Sequence, residues 1–143
     1  MPEDMYKNNY IHKNSDNVAD NPEIKNIRFA LNNIDGIIAA YIFGSAAHNK
    51  QNKLSDIDIA VLLKDVDFFD CRLRIHHDIA ILTKKEVDVV VLNTVRNLYL
   101  IDSIINRGIL LIDKDREQRI DYELSLSHAI LDYKTFRNRL YAK

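Results

Sequence analysis

The strongest constraint on the fold is a short apolar run, residues 37–43, that ends at Gly44 and Ser45. Such a run is typical of a buried strand, and the glycine and serine that end it predict a strand-to-helix turn. The glycine lets an anion approach the backbone, the serine can donate from its N–H and its hydroxyl, and the next helix presents its positive end. We therefore expect Gly44 and Ser45 to bind phosphate groups.

Two further runs carry carboxylates inside strand patterns. In residues 56–63, Asp56 and Asp58 are separated by one residue, so both carboxylates project from the same face of one strand. In residues 86–92, Asp88 interrupts an aliphatic run and lies on the face opposite to Val87, Val89 and Val91, where it can meet the other two carboxylates from a neighbouring strand. Magnesium prefers carboxylate oxygens, and two ions about 4 Å apart can hold the attacking and leaving oxygens of a phosphoryl displacement. The sequence therefore predicts a magnesium site at Asp56, Asp58 and Asp88.

Composition limits the class of protein. The chain has 143 residues, of which 47% are hydrophobic and 29% charged, with a formal net charge of −1, so we expect one domain with an adequate core. The near-neutral charge argues against direct binding of nucleic acid. Cys71 is the only cysteine, which excludes an internal disulfide and favours a reducing cytosol. No apolar run approaches the roughly twenty residues of a membrane helix, and the start of the chain lacks a signal-peptide pattern, so we expect a cytoplasmic protein without membrane contact.

The order of patterns predicts an α/β domain. Residues 1–20 are polar and are interpreted as a mobile N-terminal arm, whereas residues 21–143 form the domain. Asn21 and Pro22 begin a helix that we expect to end at Gly36. A strand, a short helix, the strand of Asp56 and Asp58, a helix, the strand of Asp88, a helix, a strand ending at Asp113 and a long C-terminal helix follow. We expect a mixed sheet with helices packed on one face.

Two helices are predicted in more detail. The helix after the second strand should have a polar face of basic residues and an apolar side made of Val66, Phe69, Leu73, Ile75, Ile79 and Leu82. In the C-terminal helix, from residue 115 onward, the apolar residues spread over more than one stripe. They are Ile120, Leu124, Leu126, Ile130, Leu131, Tyr133, Phe136 and Leu140. Their pattern is compatible with a completed core and equally with a surface for a partner.

The motifs resemble those of the nucleotidyltransferase superfamily that includes DNA polymerase β. Within it, the minimal nucleotidyltransferases share Gly-Ser, ten residues and Asp-x-Asp, as Gly44, Ser45, Asp56 and Asp58 are spaced here, and the resemblance continues through Asp88 and residues 98–113. It implies a small nucleotidyltransferase fold. Many such proteins are antitoxins of the MntA type, paired with a HEPN-domain RNase toxin, and they transfer AMP from ATP to a tyrosine of that toxin.

Carried over to this sequence, the resemblance assigns Gly44 and Ser45 to the ATP phosphates and Asp56 and Asp58 to Mg²⁺. Asp88 would complete the metal site and be the candidate base. The chain departs from the family between these motifs, because relatives commonly have Ala-Arg-Gly where this sequence has Ala47, His48 and Asn49. Asparagine tolerates the left-handed backbone conformation, but a neutral histidine is a weaker phosphate partner than arginine.

Two alternatives stay open at this point. The chain could be an antitoxin that blocks its toxin sterically, or a nucleotidyltransferase acting on a small hydroxylated compound, although such enzymes usually add a second domain. It could also be misread as the HEPN toxin, because four residues separate Arg72 and His77, as in the RNase motif of those toxins. HEPN domains are all-helical, whereas the clearest signals here are strands.

Overall fold

A four-stranded sheet organises the computed structural model, which describes Tyr10, His12 and residues 21–44 and 56–141. The strands and helices alternate as the sequence pattern predicts for an α/β domain. In chain order they are α1 (Pro22–Asn32), β1 (Ile37–Phe43), β2 (Ile57–Leu63), α2 (Phe68–Thr83), β3 (Val87–Val91), α3 (Leu98–Arg107), β4 (Ile109–Asp113) and α4 (Arg116–Tyr141). The short helix predicted after β1 falls at residues 45–55, outside the described residues.

The sheet is mixed, as predicted, with the strand order β3-β2-β1-β4. β3 pairs with β2 in parallel, whereas β1 pairs antiparallel with both β2 and β4. Because β2 and β3 run in the same direction, the residues near their starts lie side by side at one end of the sheet. The end of β1 meets that same end, since Phe43 pairs with Asp58.

Helices α1 and α2 cover one face of the sheet. Asn21 caps α1 by accepting a hydrogen bond from the Glu23 amide, as the sequence predicts. The predicted inward residues of α1 are all buried: Ile24, Ile27, Leu31 and, just beyond the helix, Ile34. The helix ends at Asn32, whereas Gly36 lies in the turn into β1 with φ +91°.

The buried side of α2 differs from the prediction. Ile75 and Ile79 are buried as expected, and Cys71 joins them one turn earlier. Their spacing of four residues keeps them in one row against the sheet. The remaining apolar residues of α2 lie off that row, so Phe69, Leu73 and Leu82 are 64%, 52% and 43% exposed.

Helices α3 and α4 cover the opposite face, so the prediction of helices on one face only was wrong. Ile101, Ile104 and Ile105 of α3 form a second core cluster with Leu126 and Ile130 of α4. The physical reason lies in β1, where six of seven residues are buried. An apolar strand with both faces buried requires helices on both sides.

Two residues near the start of the chain lie against the second core. Tyr10 is buried and donates a hydrogen bond from its hydroxyl to Asp102 on α3, at 2.7 Å. The His12 ring nitrogen Nε2 lies 2.7 Å from Oε1 of Glu123 on α4. Among the described residues, no helix is both long and apolar enough to cross a membrane.

Candidate active site

Parallel pairing of β2 and β3 brings two of the three predicted carboxylates together. Asp58 and Asp88 are register partners, each at the second position of its strand. The residues that precede and follow them in the strands, Ile57, Ile59, Val87 and Val89, belong to the core on the α1 and α2 side. Both aspartates therefore project from the opposite face, at the end of the sheet where β1 finishes. This arrangement is the one that strand alternation predicts.

Asp56 immediately precedes β2 and is exposed, as is Asp88, whereas Asp58 is partly buried. Burial raises the pKa of the Asp58 carboxyl above its usual range, and the negative charges of Asp88 and then Asp56 raise it further. Within the described part of the chain, none of the three carboxylates forms an ion pair. The site therefore concentrates negative charge that nothing described in the protein offsets.

Gly44 lies directly against the side chain of Asp58. Its φ is +73°, a left-handed conformation that glycine adopts without steric cost. A Cβ atom built on Gly44 would collide with the Asp58 carboxylate oxygen Oδ2. The glycine is thus required here both by the backbone and by the approach of the turn to Asp58. Ser45, the other predicted phosphate contact, lies outside the described residues, as do His48 and Asn49.

The donor set is suitable for a hard divalent cation. Carboxylate oxygens are the ligands that Mg²⁺ prefers, and Asp58 and Asp88 are register partners whose negative charges a cation would offset. Across residues 21–44 and 56–141, no three His, Cys, Asp or Glu side chains are already arranged as a metal site. Asp56 is exposed, one residue before β2. The assignment of Asp56, Asp58 and Asp88 as metal ligands stays a prediction.

The sequence matches the polymerase β nucleotidyltransferase family over residues 25–117. That range includes Gly44 and all three aspartates, and it extends from α1 to the start of α4. The chain belongs to this nucleotidyltransferase family. The fold described above, with a mixed sheet and four described α-helices of which the last is long and C-terminal, is a nucleotidyltransferase fold. Among curated proteins, none matches the sequence of this chain.

Solved structures share the fold of this nucleotidyltransferase. A toxin–antitoxin complex with AMP-PNP has a chain 24% identical, with a TM-score of 0.63, over 84% of this chain and 94% of that one. A tri-AMPylated HEPN toxin of Shewanella oneidensis in complex with MNT antitoxin gives 23% identity and a TM-score of 0.60, covering 82% and 91%. A mutant of the toxin–antitoxin pair MntA-HpeT gives 25% identity and a TM-score of 0.61, covering 84% of this chain and 94% of that one. These chains are similar to this one in fold.

A second acidic cluster lies on the same face of the nucleotidyltransferase sheet. Glu123 of α4 is fully buried and accepts a hydrogen bond from the Tyr41 hydroxyl at 2.7 Å. The Arg119 Nη1 donates to both Glu123 oxygens at 3.2 Å, and the same guanidinium donates to Asp113 from Nε at 2.8 Å and from Nη2 at 3.1 Å. Burial, followed by the charge of Glu123, raises the pKa of Tyr41. This cluster anchors α4 to β1 and β4.

Sequence reasoning missed the cluster around Glu123. Arg119 and Glu123 do stand four residues apart, which is the spacing of an ion pair on one helix face. That spacing commonly marks an exposed pair, so it does not by itself indicate burial. The contact with Tyr41 joins residues 82 positions apart in the chain, and nothing local in the sequence predicts it.

The structure also shows whether the chain could be the HEPN toxin itself. A four-stranded sheet is incompatible with an all-helical HEPN domain, so the reading of the chain as the toxin is wrong. Arg72 instead donates from Nε to the Val89 carbonyl at 3.0 Å, on the free edge of β3. His77 is exposed on α2. The spacing of Arg72 and His77 is therefore explained by their positions on a surface helix.

Proposed function

We propose that this chain is a metal-dependent adenylyltransferase that transfers AMP from ATP to a tyrosine hydroxyl of a HEPN-domain RNase toxin, and so acts as its antitoxin in the cytoplasm. The observation that carries the proposal is the pairing of Asp58 with Asp88 beside the Gly44 turn, within a nucleotidyltransferase domain. Paired carboxylates next to a glycine turn provide places for a cation and for a phosphate chain. The buried free thiol of Cys71 is consistent with a reducing compartment.

The solved relatives support the choice of nucleotide and acceptor. One of them contains AMP-PNP, and another contains a HEPN toxin that carries three AMP groups beside its MNT antitoxin. By analogy, ATP would be the donor here and a HEPN toxin the acceptor and the binding partner. The tyrosine hydroxyl as the accepting group comes from the family resemblance. No membrane or nucleic acid is required by this proposal.

Each residue of the site has a role in this mechanism. Gly44 and Ser45 would hold the phosphate chain, while Asp56, Asp58 and Asp88 would hold the Mg²⁺ ions. Magnesium, when bound, would neutralise phosphate charge and lower the pKa of the acceptor hydroxyl. Asp88, which is exposed at the edge of the site, would orient the tyrosine hydroxyl and accept its proton.

The proposed transfer exchanges one phosphorus–oxygen bond for another. The tyrosine oxygen forms a bond to the α-phosphorus of ATP, and the bond from that phosphorus to the bridging oxygen breaks. Pyrophosphate leaves with the electron pair of the broken bond, and AMP stays on the tyrosine. A carboxylate that accepts the tyrosine proton contributes typically about a hundredfold to ten-thousandfold to such a step.

The proposal is tested by intact-mass spectrometry of the HEPN protein encoded beside this chain, after incubation with the chain, Mg²⁺ and ATP. We expect the partner to gain one or more AMP units. Asp58→Asn should slow the transfer by on the order of a hundredfold to ten-thousandfold. Asp121→Asn is the matched control, because Asp121 is an exposed aspartate of α4 remote in sequence from the site, and it should leave the rate unchanged.

Two other outcomes would replace the proposal. A partner that co-purifies and is inhibited but gains no mass would indicate a binding-only antitoxin, which the loss of the usual arginine at His48 would explain. Modification of a small hydroxylated compound in the absence of any protein partner would indicate a small-molecule nucleotidyltransferase. A normal transfer rate in Asp58→Asn would remove the metal assignment.

A further inference from the structure

Helix α4 continues beyond the core that it helps to build. Leu126 and Ile130 are buried against α3, but every residue from Leu131 to Tyr141 is exposed. Tyr133, Phe136 and Leu140 follow Ile130 at intervals of three, three and four residues, so they extend the buried face of the helix outward. We call these three residues the tail stripe. The face that packs within the domain is therefore the face that stays uncovered outside it.

The tail stripe exposes large apolar side chains to water. Its residues are 46%, 60% and 64% exposed along about two helical turns. A helical segment of this length is marginal without tertiary packing. Among the described residues, the ring of Tyr99 meets the ring of Tyr133 in this stripe edge-on, with centroids 5.9 Å apart. An exposed apolar stripe of this kind on a folded domain marks an interaction surface.

The charge of the tail indicates what covers it. Lys134, Arg137 and Arg139 are all basic, and no acidic residue follows Asp132 in the described helix. None of the three basic side chains forms an ion pair with any residue that the structure describes. The whole chain has a net charge of −1, so this basic charge is local. A complementary surface would be apolar at its centre and acidic at its rim.

We propose that the tail stripe is the docking helix by which this chain binds its HEPN toxin, seated in an apolar groove with acidic residues along its edges. The inference rests on the proposed function, since that function supplies a helical protein partner. An amphipathic helix that places an apolar face in a groove is a recurring mode of recognition, read as anchors at helical spacing. Docking through α4 would supply the acceptor surface that a single small catalytic domain lacks.

Two other occupants fit the stripe less well. A second copy of this chain, placed tail against tail, would bring its own Lys134, Arg137 and Arg139 against the same three residues, and like charges repel. A nucleic acid would satisfy the basic residues, but its phosphate backbone offers no apolar surface for Phe136 and Leu140. A protein groove satisfies both the apolar and the charged residues.

The test is the affinity between the full-length chain and the HEPN protein encoded beside it, measured by calorimetry. The variant Phe136→Glu/Leu140→Glu introduces charge into the tail stripe, and we expect it to weaken binding by at least about thirtyfold, as for a central anchor of an interface. The matched control is Thr135→Glu/Asn138→Glu, which adds the same charges on the other side of the same exposed helix. It should change the dissociation constant by no more than about threefold. Because all four residues are exposed, both variants should unfold at the wild-type temperature.

The charges of the tail are tested separately. Reversing Lys134, Arg137 and Arg139 to glutamate should slow association and remove most of its dependence on salt, since complementary charge mainly affects the rate of encounter. Equal affinity of the stripe variant and the wild type would overturn the proposal. Two other results would overturn it as well. One is that the chain alone forms a homodimer that the stripe variant does not form. The other is that the wild-type chain binds a single-stranded RNA oligonucleotide and the stripe variant does not.

Intact-mass spectrometry of the same samples measures AMP transfer alongside binding. The two measurements together distinguish a failure of the docking site from a failure of the proposed adenylyltransferase function. Binding that depends on the stripe, without AMP on the partner, would support docking and contradict the adenylyltransferase. AMP transfer that the stripe variant performs at the wild-type rate, at partner concentrations below the dissociation constant, would support the enzyme and contradict the docking site. A wild-type chain that neither binds nor modifies the HEPN protein would contradict both.

Discussion

Two acidic clusters lie on the same face of the sheet, and they are built in opposite ways. At the end of the sheet, Asp58 and Asp88 stand as register partners with no described cation beside them. Nearer its centre, Glu123 is fully buried but accepts hydrogen bonds from Tyr41 and Arg119, and Asp113 binds the same arginine. In the first cluster, which we call the unsatisfied cluster, burial and then the neighbouring negative charges raise the pKa of Asp58. In the second, which we call the satisfied cluster, an arginine and a hydroxyl group donate hydrogen bonds to the carboxylates.

The difference indicates which cluster is structural and which is functional. A buried carboxylate with a complete set of partners holds elements together, because removing any partner leaves a buried charge uncompensated. Carboxylates that face one another without partners cost stability, and proteins retain such costs at functional sites. The comparison leads to four predictions, given from the largest expected change in the free energy of unfolding to the smallest.

The largest effect should come from the satisfied cluster. Glu123→Ala removes the carboxylate that Arg119 and Tyr41 share, leaving buried donors without an acceptor, and we expect a loss of about 3 kcal/mol in the free energy of unfolding. Urea denaturation measures it. Asp121→Ala, on an exposed position of the same helix, should change stability by no more than about 0.5 kcal/mol. A loss below about 1 kcal/mol for Glu123→Ala would contradict the structural role of the cluster.

Gly44→Ala should have the next largest effect on the free energy of unfolding, because Gly44 lies in a left-handed turn beside Asp58 of the unsatisfied cluster. The positive φ costs an alanine about 1–2 kcal/mol, and its Cβ would collide with the Asp58 carboxylate. We expect that loss of stability in urea denaturation, together with at least about a tenfold loss of AMP transfer from displacement of Asp58.

Gly44→Asn separates the two causes. Asparagine tolerates positive φ better than alanine, but it carries the same Cβ towards Asp58. Recovered stability with transfer still impaired would assign the functional loss to the collision. If both variants kept full activity, the close approach of the turn to Asp58 would have no role in the reaction.

Tyr41→Phe tests a single bond of the satisfied cluster. It removes one donor to Glu123 and keeps the ring in the core, so we expect a loss of about 1 kcal/mol in the free energy of unfolding. Tyr133→Phe, on the exposed part of α4, is the control and should be neutral. Equal stability of the two variants would mean that the Tyr41 hydroxyl contributes nothing to anchoring α4.

Asp58→Asn should have the smallest effect and the opposite sign. The pKa of Asp58 is raised above its ordinary value of 3.8, so the folded protein favours the protonated carboxyl. The contribution of protonated Asp58 to the free energy of unfolding is complete below the ordinary pKa of 3.8, and it is lost as the pH rises through the raised pKa of the folded protein. At pH 7 and without metal, asparagine should therefore raise the Tm by on the order of a degree or two.

Thermal melts in metal-free buffer at neutral and acidic pH measure this difference. The gain in Tm should disappear at acidic pH, where Asp58 is protonated in both states. Asp113→Asn is the matched control from the satisfied cluster, and it should lower the Tm at neutral pH because it weakens the ion pair with Arg119. A lower Tm for Asp58→Asn at neutral pH would remove the contrast between the two clusters.

Local patterns predicted much of the candidate site. Alternation in β2 and β3 predicted that Asp58 and Asp88 share a face and can meet, and the register of the parallel pair brings them together. This succeeded because side chains in a strand alternate by geometry, whatever surrounds the strand. The glycine at the end of β1 was likewise identified from its place in the pattern. Ser45, by contrast, lies outside the described residues, and its role stays a prediction.

The sequence by itself determined the α/β class, the mixed order of strands and helices, the long C-terminal helix and the face on which the aspartates lie. Each of these depends on spacing within a few residues, where periodicity and chain sterics act directly. Only the tertiary structure decided that helices cover both faces of the sheet, that Cys71 is buried in place of Phe69, and that Glu123 joins Tyr41 across 82 positions. Those outcomes depend on contacts between elements distant in the chain, whose free energies appear only once the sheet and helices are packed together.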